Sequence, residues 1–272
     1  MAMKGRHIDI MGIVNLTDDS FYAASRCVDV PEVIRTVSTM LDEGATIIDF
    51  GACSSRPGSD PVGPDEEWKR LEPVLAEVRE MWPELEISID TCWASVVSKA
   101  YDLIGKFIVN DISAGEADPQ MLPLVGRLGL RFIAMHMRGD SKTMQSMTDY
   151  EDVVDEVISY FKEFAARAEQ NGVKDWILDP GFGFAKTVSQ NYQMMRNLRK
   201  FRRPYSSFEM PKILVGVSRK SMIYKPLDIT PEEALPQTQV LHLKALQEGA
   251  DMLRVHDVAE AKRTIEVYWR LC

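Results

Sequence analysis

Apolar and polar positions repeat along this chain in a pattern of short buried strands followed by amphipathic helices. Residues 31–44 and 150–172 have the apolar spacing of helices, the first begins with proline, and both end in glycine. Eight short runs rich in β-branched and other apolar residues are predicted to be strands. They are residues 7–15, 45–52, 86–91, 107–113, 131–137, 175–181, 212–218 and 252–258.

This alternation predicts an α/β fold with a parallel sheet, because consecutive parallel strands need a crossover connection that is usually helical. Eight strand–helix units favour a closed (β/α)8 TIM barrel over an open doubly wound sheet. The chain has 272 residues, and one such barrel typically takes about 250. No linker or low-complexity tract divides the chain, so we expect residues 1–272 to form a single domain.

Polar residues stand at the C-terminal end of every predicted strand. Any one of them is most simply a helix cap or a turn former, but a full rim of them is hard to explain as independent caps. Because barrels of this class build their active site on that rim, the sequence predicts a binding site there. The residues are Asn15, Asp49, Asp90, Asn110 with Asp111, His136, Asp179, Ser218 leading to Lys220, and Arg254 with His256.

The residue types at this rim suit a small anionic ligand that carries an amino-heterocycle. Asp and Asn can pair with the N–H donors of such a ring, and Lys220 can meet its carbonyl or ring nitrogen. Arg254 and His256 share one face of a strand and, with helix N-termini, form an anion site. His136, between two methionines, is expected to be a satisfied buried histidine rather than a ligand.

Composition and charge exclude several other classes of protein. A hydrophobic content of 45% and a charged content of 27% are ordinary for soluble globular proteins. No apolar run approaches the roughly 20 residues of a membrane span, and no signal peptide is evident, so we expect a cytoplasmic protein. The net charge of −9 argues against a nucleic-acid partner. Four scattered cysteines are expected to be reduced thiols: Cys27, Cys53, Cys92 and Cys272.

Familiar catalytic motifs do not fit this sequence. In "GVSRK" Lys220 replaces the second glycine of a nucleophile elbow, and "GFGFAK" lacks the third glycine of a dinucleotide-binding loop. There is no HExxH motif, and the first strand has no His-x-His pair, so a zinc hydrolase is poorly supported. A Schiff base on Lys220 stays open as a rival chemistry.

The motifs taken together resemble the dihydropteroate synthase family, the folate-pathway transferases that sulfonamides target. The combination on the last three strands is the specific part, and the match covers residues 11 to 258. The matching stretches are "MGIVNLTDDSF", "IIDFGACSSRPG", "ISIDT", "NDIS", "MHMRGDSKTMQ", "ILDPGFGFAKT", "VGVSRKS" and "LRVHDV".

The resemblance implies a barrel enzyme that condenses 6-hydroxymethyl-7,8-dihydropterin diphosphate with p-aminobenzoate and releases diphosphate. It implies pterin contacts at Asp90, Asn110, Met135, Asp179 and Lys220. It implies diphosphate contacts at Asn15, Arg254 and His256, with Asn15 also a ligand of the cofactor Mg²⁺. It implies a p-aminobenzoate pocket of Phe21, Ser55, Arg56, Pro57 and Ser221. The basic residues expected to be catalytic are Lys220, Arg56 and Arg254, and the family is usually a homodimer.

The two loops that follow the first two strands depart from the family pattern. Asp18, Tyr22, Ala23 and Ala24 replace proline, serine, aspartate and glycine in the first loop, and Cys53 replaces glutamate in the second. Two alternatives therefore remain: a related protein that binds pterin but does not condense it, and a pterin-binding methyltransferase module. The "SSRPG", "SRKS" and "RVHDV" segments favour the synthase.

Overall fold

Eight parallel strands close into a barrel in chain order, with the first strand paired to the last. The computed structural model describes residues 7–16, 29–53, 62–140 and 142–272. The strands are β1 (Asp9–Asn15), β2 (Ile47–Gly51), β3 (Glu86–Asp90), β4 (Ile108–Asp111), β5 (Arg131–Met135), β6 (Trp176–Asp179), β7 (Lys212–Val215) and β8 (Met252–Val255). The predicted (β/α)8 barrel is confirmed; β1 ends at Asn15 as predicted, and the other seven strands end one to three residues earlier than predicted.

Helices connect the strands around the outside of the barrel. Between β1 and β2, the helix begins after Asp29, whose side chain accepts a hydrogen bond from the Glu32 N–H, and it ends at Gly44 with φ +107°. Two helices separate β7 from β8. The helices are α1 (Val30–Glu43), α2 (Pro64–Met81), α3 (Ala94–Ile104), α4 (Met121–Leu128), α5 (Val153–Gln170), α6 (Val188–Arg196), α7 (Ser221–Leu227), α8 (Leu235–Gln247) and α9 (Val258–Leu271).

The interior of the barrel is filled by an apolar layer to which every strand except β3 contributes one side chain. Its members are Met11, Ile47, Ile108, Ile133, Ile177, Leu214 and Met252. Because side chains alternate along a strand, the residues two positions further along face the interior again. On five strands these form what we call the upper layer: Asp49, Asn110, Met135, Asp179 and Arg254. The barrel therefore changes from apolar to mainly polar within one step toward the C-terminal ends of its strands.

A second core lies between the barrel wall and the surrounding helices. An aromatic group there joins α5 to β6, with the rings of Phe164 and Trp176 4.9 Å apart and those of Trp176 and Tyr205 5.8 Å apart. This packing fixes the wall from outside and keeps the strand ends at constant relative positions. Among the described helices, none combines the length and apolar character that crossing a membrane would require.

Candidate active site in the barrel mouth

Asp49 is the centre of a hydrogen-bonded group that joins three strands at the barrel mouth. Its side chain is fully buried, and its Oδ2 accepts from Asn110 Nδ2 at 3.1 Å and from Arg254 Nε at 2.7 Å. Its Oδ1 is also buried and has no hydrogen-bond partner among the described residues. A buried carboxylate is stable only when it accepts hydrogen bonds. The bonds that Asp49 accepts therefore hold the side chains of Arg254 and Asn110 in the interior of the mouth.

Arg254 connects this group to Asp90 at the end of β3. Its Nη2 donates to Asp90 Oδ2 at 3.0 Å, so one guanidinium contacts two carboxylates. Burial raises the pKa of Asp90, Arg254 opposes the shift, and the negative charge of Asp49 adds to it. Asp90 is therefore a carboxylate whose charge depends on a positive or hydrogen-bonding partner at this position.

Asp179 and Lys220 form the opposite side of the mouth, on β6 and after β7. The Asp179 Oδ1 accepts from the Gly181 N–H at 2.8 Å, and Lys220 Nζ donates to the Phe182 carbonyl at 2.6 Å. The Lys220 Nζ also lies 4.7 Å from the centre of the Phe184 ring. Burial raises the pKa of Asp179, while Lys220 counteracts the rise. Burial lowers the pKa of Lys220 to about 8, against the attraction of Asp179.

The turn that carries Lys220 is set by its neighbour. Arg219 has φ +54° and donates two hydrogen bonds to the Asp257 carboxylate, at 2.9 and 2.7 Å. The left-handed backbone conformation of Arg219 directs its side chain toward Asp257, so the next residue, Lys220, faces the mouth. Lys220 immediately precedes α7, and Ser221 is the first residue of that helix.

His256 lies beside the end of β8, next to the turn after β7. Its Nδ1 is 3.0 Å from Ser218 Oγ, and its backbone N–H donates to the same oxygen at 3.3 Å. The side chain is otherwise exposed at the mouth. Burial and the neighbouring Arg254 lower the pKa of His256 to about 4. The rim above β8 therefore offers an anion the charge of the Arg254 guanidinium and a neutral imidazole as a hydrogen-bond donor.

Asn15 and Asp90 face the same space beside Gly51. A methyl group on Gly51 would lie 3.7 Å from both Asn15 Oδ1 and Asp90 Oδ2. Within the described part of the chain, no three His, Cys, Asp or Glu residues come together to hold a metal ion. Mg²⁺ usually takes one or two protein oxygens and completes its shell with water and substrate phosphates. The Asn15 amide oxygen fits an ion bound in that way.

The structure brings most of the predicted site residues together. Phe21, Ser55, Arg56 and Pro57 lie outside the described residues, as do the substituted positions Asp18, Tyr22, Ala23 and Ala24. Asp111 is a strand-end residue that does not face the mouth. Its carboxylate accepts from Ser113 and from the Gly115 N–H at 2.9 Å, and it therefore shapes the loop after β4.

The sequence predicts no specific contact for two residues next to the mouth. Asp49 was a polar strand end without an assignment, although its position two residues after Ile47 already placed it in the interior. Lys186 was the last residue of "GFGFAK", and its Nζ lies 2.9 Å from His136 Nδ1. His136 is 3% exposed and hydrogen-bonded, so the prediction of a satisfied buried histidine is confirmed.

Comparisons with known proteins agree on one family. The family described as pterin binding enzyme matches residues 11–256. The dihydropteroate synthase of Escherichia coli K12 is 38% identical over 263 residues, which cover 96% of this chain and 90% of that protein. The Clostridium difficile dihydropteroate synthase, crystallised with pteroic acid, superposes with a TM-score of 0.89 at 32% identity and covers 100% of this chain and 99% of that one. The Yersinia pestis dihydropteroate synthase, solved in a sulfonamide drug complex, superposes with a TM-score of 0.88 at 30% identity. It covers 98% of this chain and 94% of that one.

Proposed function

Because this chain belongs to the family of pterin-binding enzymes, we propose that it is a dihydropteroate synthase. The reaction joins 6-hydroxymethyl-7,8-dihydropterin diphosphate to p-aminobenzoate and releases diphosphate. Two findings support this function: near full-length similarity to named synthases, and a mouth whose polar residues match the two halves of the pterin substrate. The family assignment also favours this condensation over the Schiff-base chemistry considered for Lys220.

The arrangement of Asp90, Asn110, Asp179 and Lys220 is the observation that carries the proposal. The carboxylates and the amide present acceptors toward the interior, where the ring N–H and amino groups of a pterin would bind. Lys220 supplies a donor for the ring carbonyl or a ring nitrogen, and it would exchange the Phe182 carbonyl for the ligand. Met135, buried at the end of β5, would pack beside the ring.

The diphosphate would lie above β8 and β1. Arg254, His256 and Asn15 are the residues proposed to contact it, and Asn15 is the proposed protein ligand of Mg²⁺. When bound, Mg²⁺ offsets negative charge on the departing diphosphate. Arg254 would then divide its donors between Asp49 and the phosphate oxygens, since Asp90 would turn to the ring.

The proposed mechanism is a largely dissociative substitution at the pterin methylene carbon. The C–O bond to diphosphate breaks and leaves a pterin-methylene cation; Arg254 stabilises the negative charge of the departing diphosphate, while Lys220 holds the pterin ring in place. The amine of p-aminobenzoate attacks that carbon and then loses a proton. Phe21, Ser55, Arg56, Pro57 and Ser221 are the residues proposed to hold p-aminobenzoate. An aniline nitrogen is already nucleophilic, so the reaction needs no general base to activate it, and positioning and electrostatics account for the proposed catalysis.

One assay tests the function against its alternatives. The purified protein, Mg²⁺, pterin diphosphate and p-aminobenzoate should together give 7,8-dihydropteroate and one equivalent of diphosphate. Omission of p-aminobenzoate should abolish the product. Binding of pterin without product would instead identify the non-condensing relative. Methyl transfer from a methylated pterin would identify the methyltransferase module.

A homodimer and a cytoplasmic location remain proposals for this chain. Exposed apolar side chains on α8 and α9, namely Val240, Val267 and Leu271, are surfaces that a second copy would cover. Light scattering of the purified protein should give about twice the mass of the chain, and a Val240→Glu variant should give the monomer mass. Cell fractionation would test the location.

A further inference from the structure

Lys186 is a buried residue of the loop between β6 and α6, and its amine contacts backbone carbonyls of that same loop. It is 4% exposed, and its Nζ lies 3.0 Å from the Gly181 carbonyl, 3.0 Å from the Phe184 carbonyl and 2.9 Å from His136 Nδ1. Burial lowers the pKa of Lys186 to about 7, against the charge of Asp179. Even the neutral amine keeps two N–H donors, enough for the two loop carbonyls.

The loop that Lys186 binds has an unusual backbone. Gly181, Gly183 and Ala185 all have positive φ, at +72°, +86° and +48°. The alanine pays a steric penalty in this region because it has a Cβ. Such a conformation persists only when surrounding contacts determine it, and the inward carbonyls of residues 181 and 184 are determined by Lys186.

The outer side of the same loop supplies contacts to two of the proposed pterin residues. The Gly181 N–H donates to Asp179, the Phe182 carbonyl accepts from Lys220, and the Phe184 ring lies beneath the Lys220 ammonium. The positions of the Asp179 carboxylate and the Lys220 ammonium therefore depend on the loop conformation, which the hydrogen bonds of Lys186 determine.

His136 extends the same connection to the neighbouring strand. It follows Met135, which pairs with Asp179 in the sheet register, and its N–H donates to the Asp179 carbonyl at 3.1 Å. Its ring packs edge-on against Tyr160 at 4.9 Å, so the side-chain partner of Lys186 is itself fixed. Lys186 thus joins the end of β5 to the loop after β6.

We propose that Lys186 is a positioning residue for pterin recognition, which aligns Asp179 and Lys220 through the loop of residues 180–187 without touching the substrate. This role rests on the proposed function only as far as pterin binding, and it does not require that condensation takes place. It predicts that loss of Lys186 weakens pterin binding and leaves p-aminobenzoate recognition nearly intact.

The variant Lys186→Met tests this role, because methionine fills similar space and cannot donate. We expect the Kd for 6-hydroxymethylpterin, measured by calorimetry, to rise by about tenfold or more. The KM for p-aminobenzoate at saturating pterin diphosphate should change by less than about twofold. The matched control is Arg202→Met, which removes a mostly buried cation at the other end of the barrel, bonded to Asp251 at 2.7 Å and to the Gly249 carbonyl at 2.8 Å.

The thermal unfolding of both variants separates positioning from general destabilisation. Two results would overturn the positioning role of Lys186. In the first, Arg202→Met loses as much pterin affinity as Lys186→Met at a similar loss of stability. In the second, Lys186→Met binds pterin like the wild type. A double variant with Lys220→Met should lose less than the sum of the two single losses. Full additivity would contradict the connection through Lys220.

A second variant covers the case in which Lys186→Met does not fold. His136→Phe is expected to keep a ring packed on Tyr160, and it removes the side-chain hydrogen-bond partner of Lys186. It should raise the pterin Kd by about threefold and leave the KM for p-aminobenzoate unchanged. Unchanged pterin binding in this variant would overturn the role. A wild-type protein that binds pterin but forms no product would refute the proposed condensation, and the calorimetric comparison of pterin Kd values would still test the role of Lys186.

Discussion

Arg254 on the last strand donates from Nε to the fully buried carboxylate of Asp49 on the second strand at 2.7 Å. This contact crosses the interior of the barrel and fixes the guanidinium while its Nη2 remains available to Asp90. A substrate anion at the rim would therefore meet a guanidinium that is already oriented, which lowers the cost of reorganisation during reaction.

Replacement of Asp49 should damage both stability and catalysis. Asp49→Asn leaves the buried Arg254 with one carboxylate fewer, and we expect the free energy of unfolding to fall by about 3 kcal/mol. The KM for pterin diphosphate should rise by about tenfold. Denaturant unfolding and steady-state kinetics measure the two effects. The control Asp175→Asn removes an exposed partner of Arg131 and should change stability by less than about 1 kcal/mol.

Lys220 should be needed for pterin binding but not for folding. Lys220→Ala removes the donor that contacts the Phe182 carbonyl, and pterin binding should fall by about a hundredfold. The melting temperature should change by a few degrees at most. As a control, Lys225→Ala replaces an exposed lysine on α7, the helix that follows Lys220, and should bind pterin like the wild type. An insoluble or molten Lys220→Ala protein would identify a structural lysine instead.

Pterin affinity should depend on pH through Lys220. Since burial lowers the pKa of Lys220 to about 8, the ammonium loses its charge as the pH rises through about 8, and its hydrogen bond to the pterin weakens. Any protonation change of the pterin itself affects wild type and variants equally. The pH dependence of the wild-type affinity is therefore compared with that of Lys220→Arg, whose side chain stays charged. The wild type should lose more affinity between pH 7 and pH 9.5 than this variant. Parallel pH profiles would argue against a charged lysine in pterin binding.

Glu67 on α2 should make stability depend on pH in the acidic range. Burial raises its pKa from 4.5 to about 7, although a bond to Thr91 lowers it. The folded state then binds its proton more tightly than the unfolded state, so stability falls as the pH rises from about 4.5 to about 7 and is constant above. Glu67→Gln should be more stable than the wild type by up to about 3 kcal/mol at pH 8 and similar at pH 4. The exposed neighbour provides the control Glu66→Gln, which should show no such difference.

A sulfonamide should inhibit the reaction in competition with p-aminobenzoate. The Yersinia pestis relative was solved in a sulfonamide drug complex, and the residues proposed here for p-aminobenzoate include Arg56 and Ser221. The inhibitor concentration for half-maximal inhibition should therefore rise linearly with the p-aminobenzoate concentration and stay constant with pterin diphosphate. Inhibition that is independent of p-aminobenzoate would place the drug elsewhere.

The fold and the floor of the site could be predicted from sequence because both follow from strand periodicity. Asp179 and Arg254 each lie two residues after an apolar interior residue, and that spacing alone places them on the inner face. Seven of the eight strands end one to three residues before their predicted ends, as β8 does at Val255. A polar residue that leaves the sheet to enter the mouth still continues the alternation of the strand, so periodicity alone does not mark the last paired residue.

Roles that depend on contacts between distant segments were not predictable from the sequence. Nothing near Asp49 in the chain indicates that its partners are Asn110 and Arg254, 61 and 205 residues away. The motif that contains Lys186 was considered only for its glycines, and the partner of Lys186, His136, lies just after the end of β5, 50 residues away. Both roles arise only when the barrel closes and brings these residues within hydrogen-bonding distance.

The closed hydrogen-bond ladder of the barrel also affects where drug resistance can arise. Asp90, Asn110 and Asp179 stand on strands whose neighbours fix them on both sides, whereas Phe21, Ser55, Arg56 and Pro57 belong to the connections after β1 and β2. Connections tolerate substitution far better than paired strands. An inhibitor that imitates the pterin would contact the residues proposed here for pterin, whose exchange should also weaken substrate binding, so escape variants should accumulate first at the residues proposed for p-aminobenzoate.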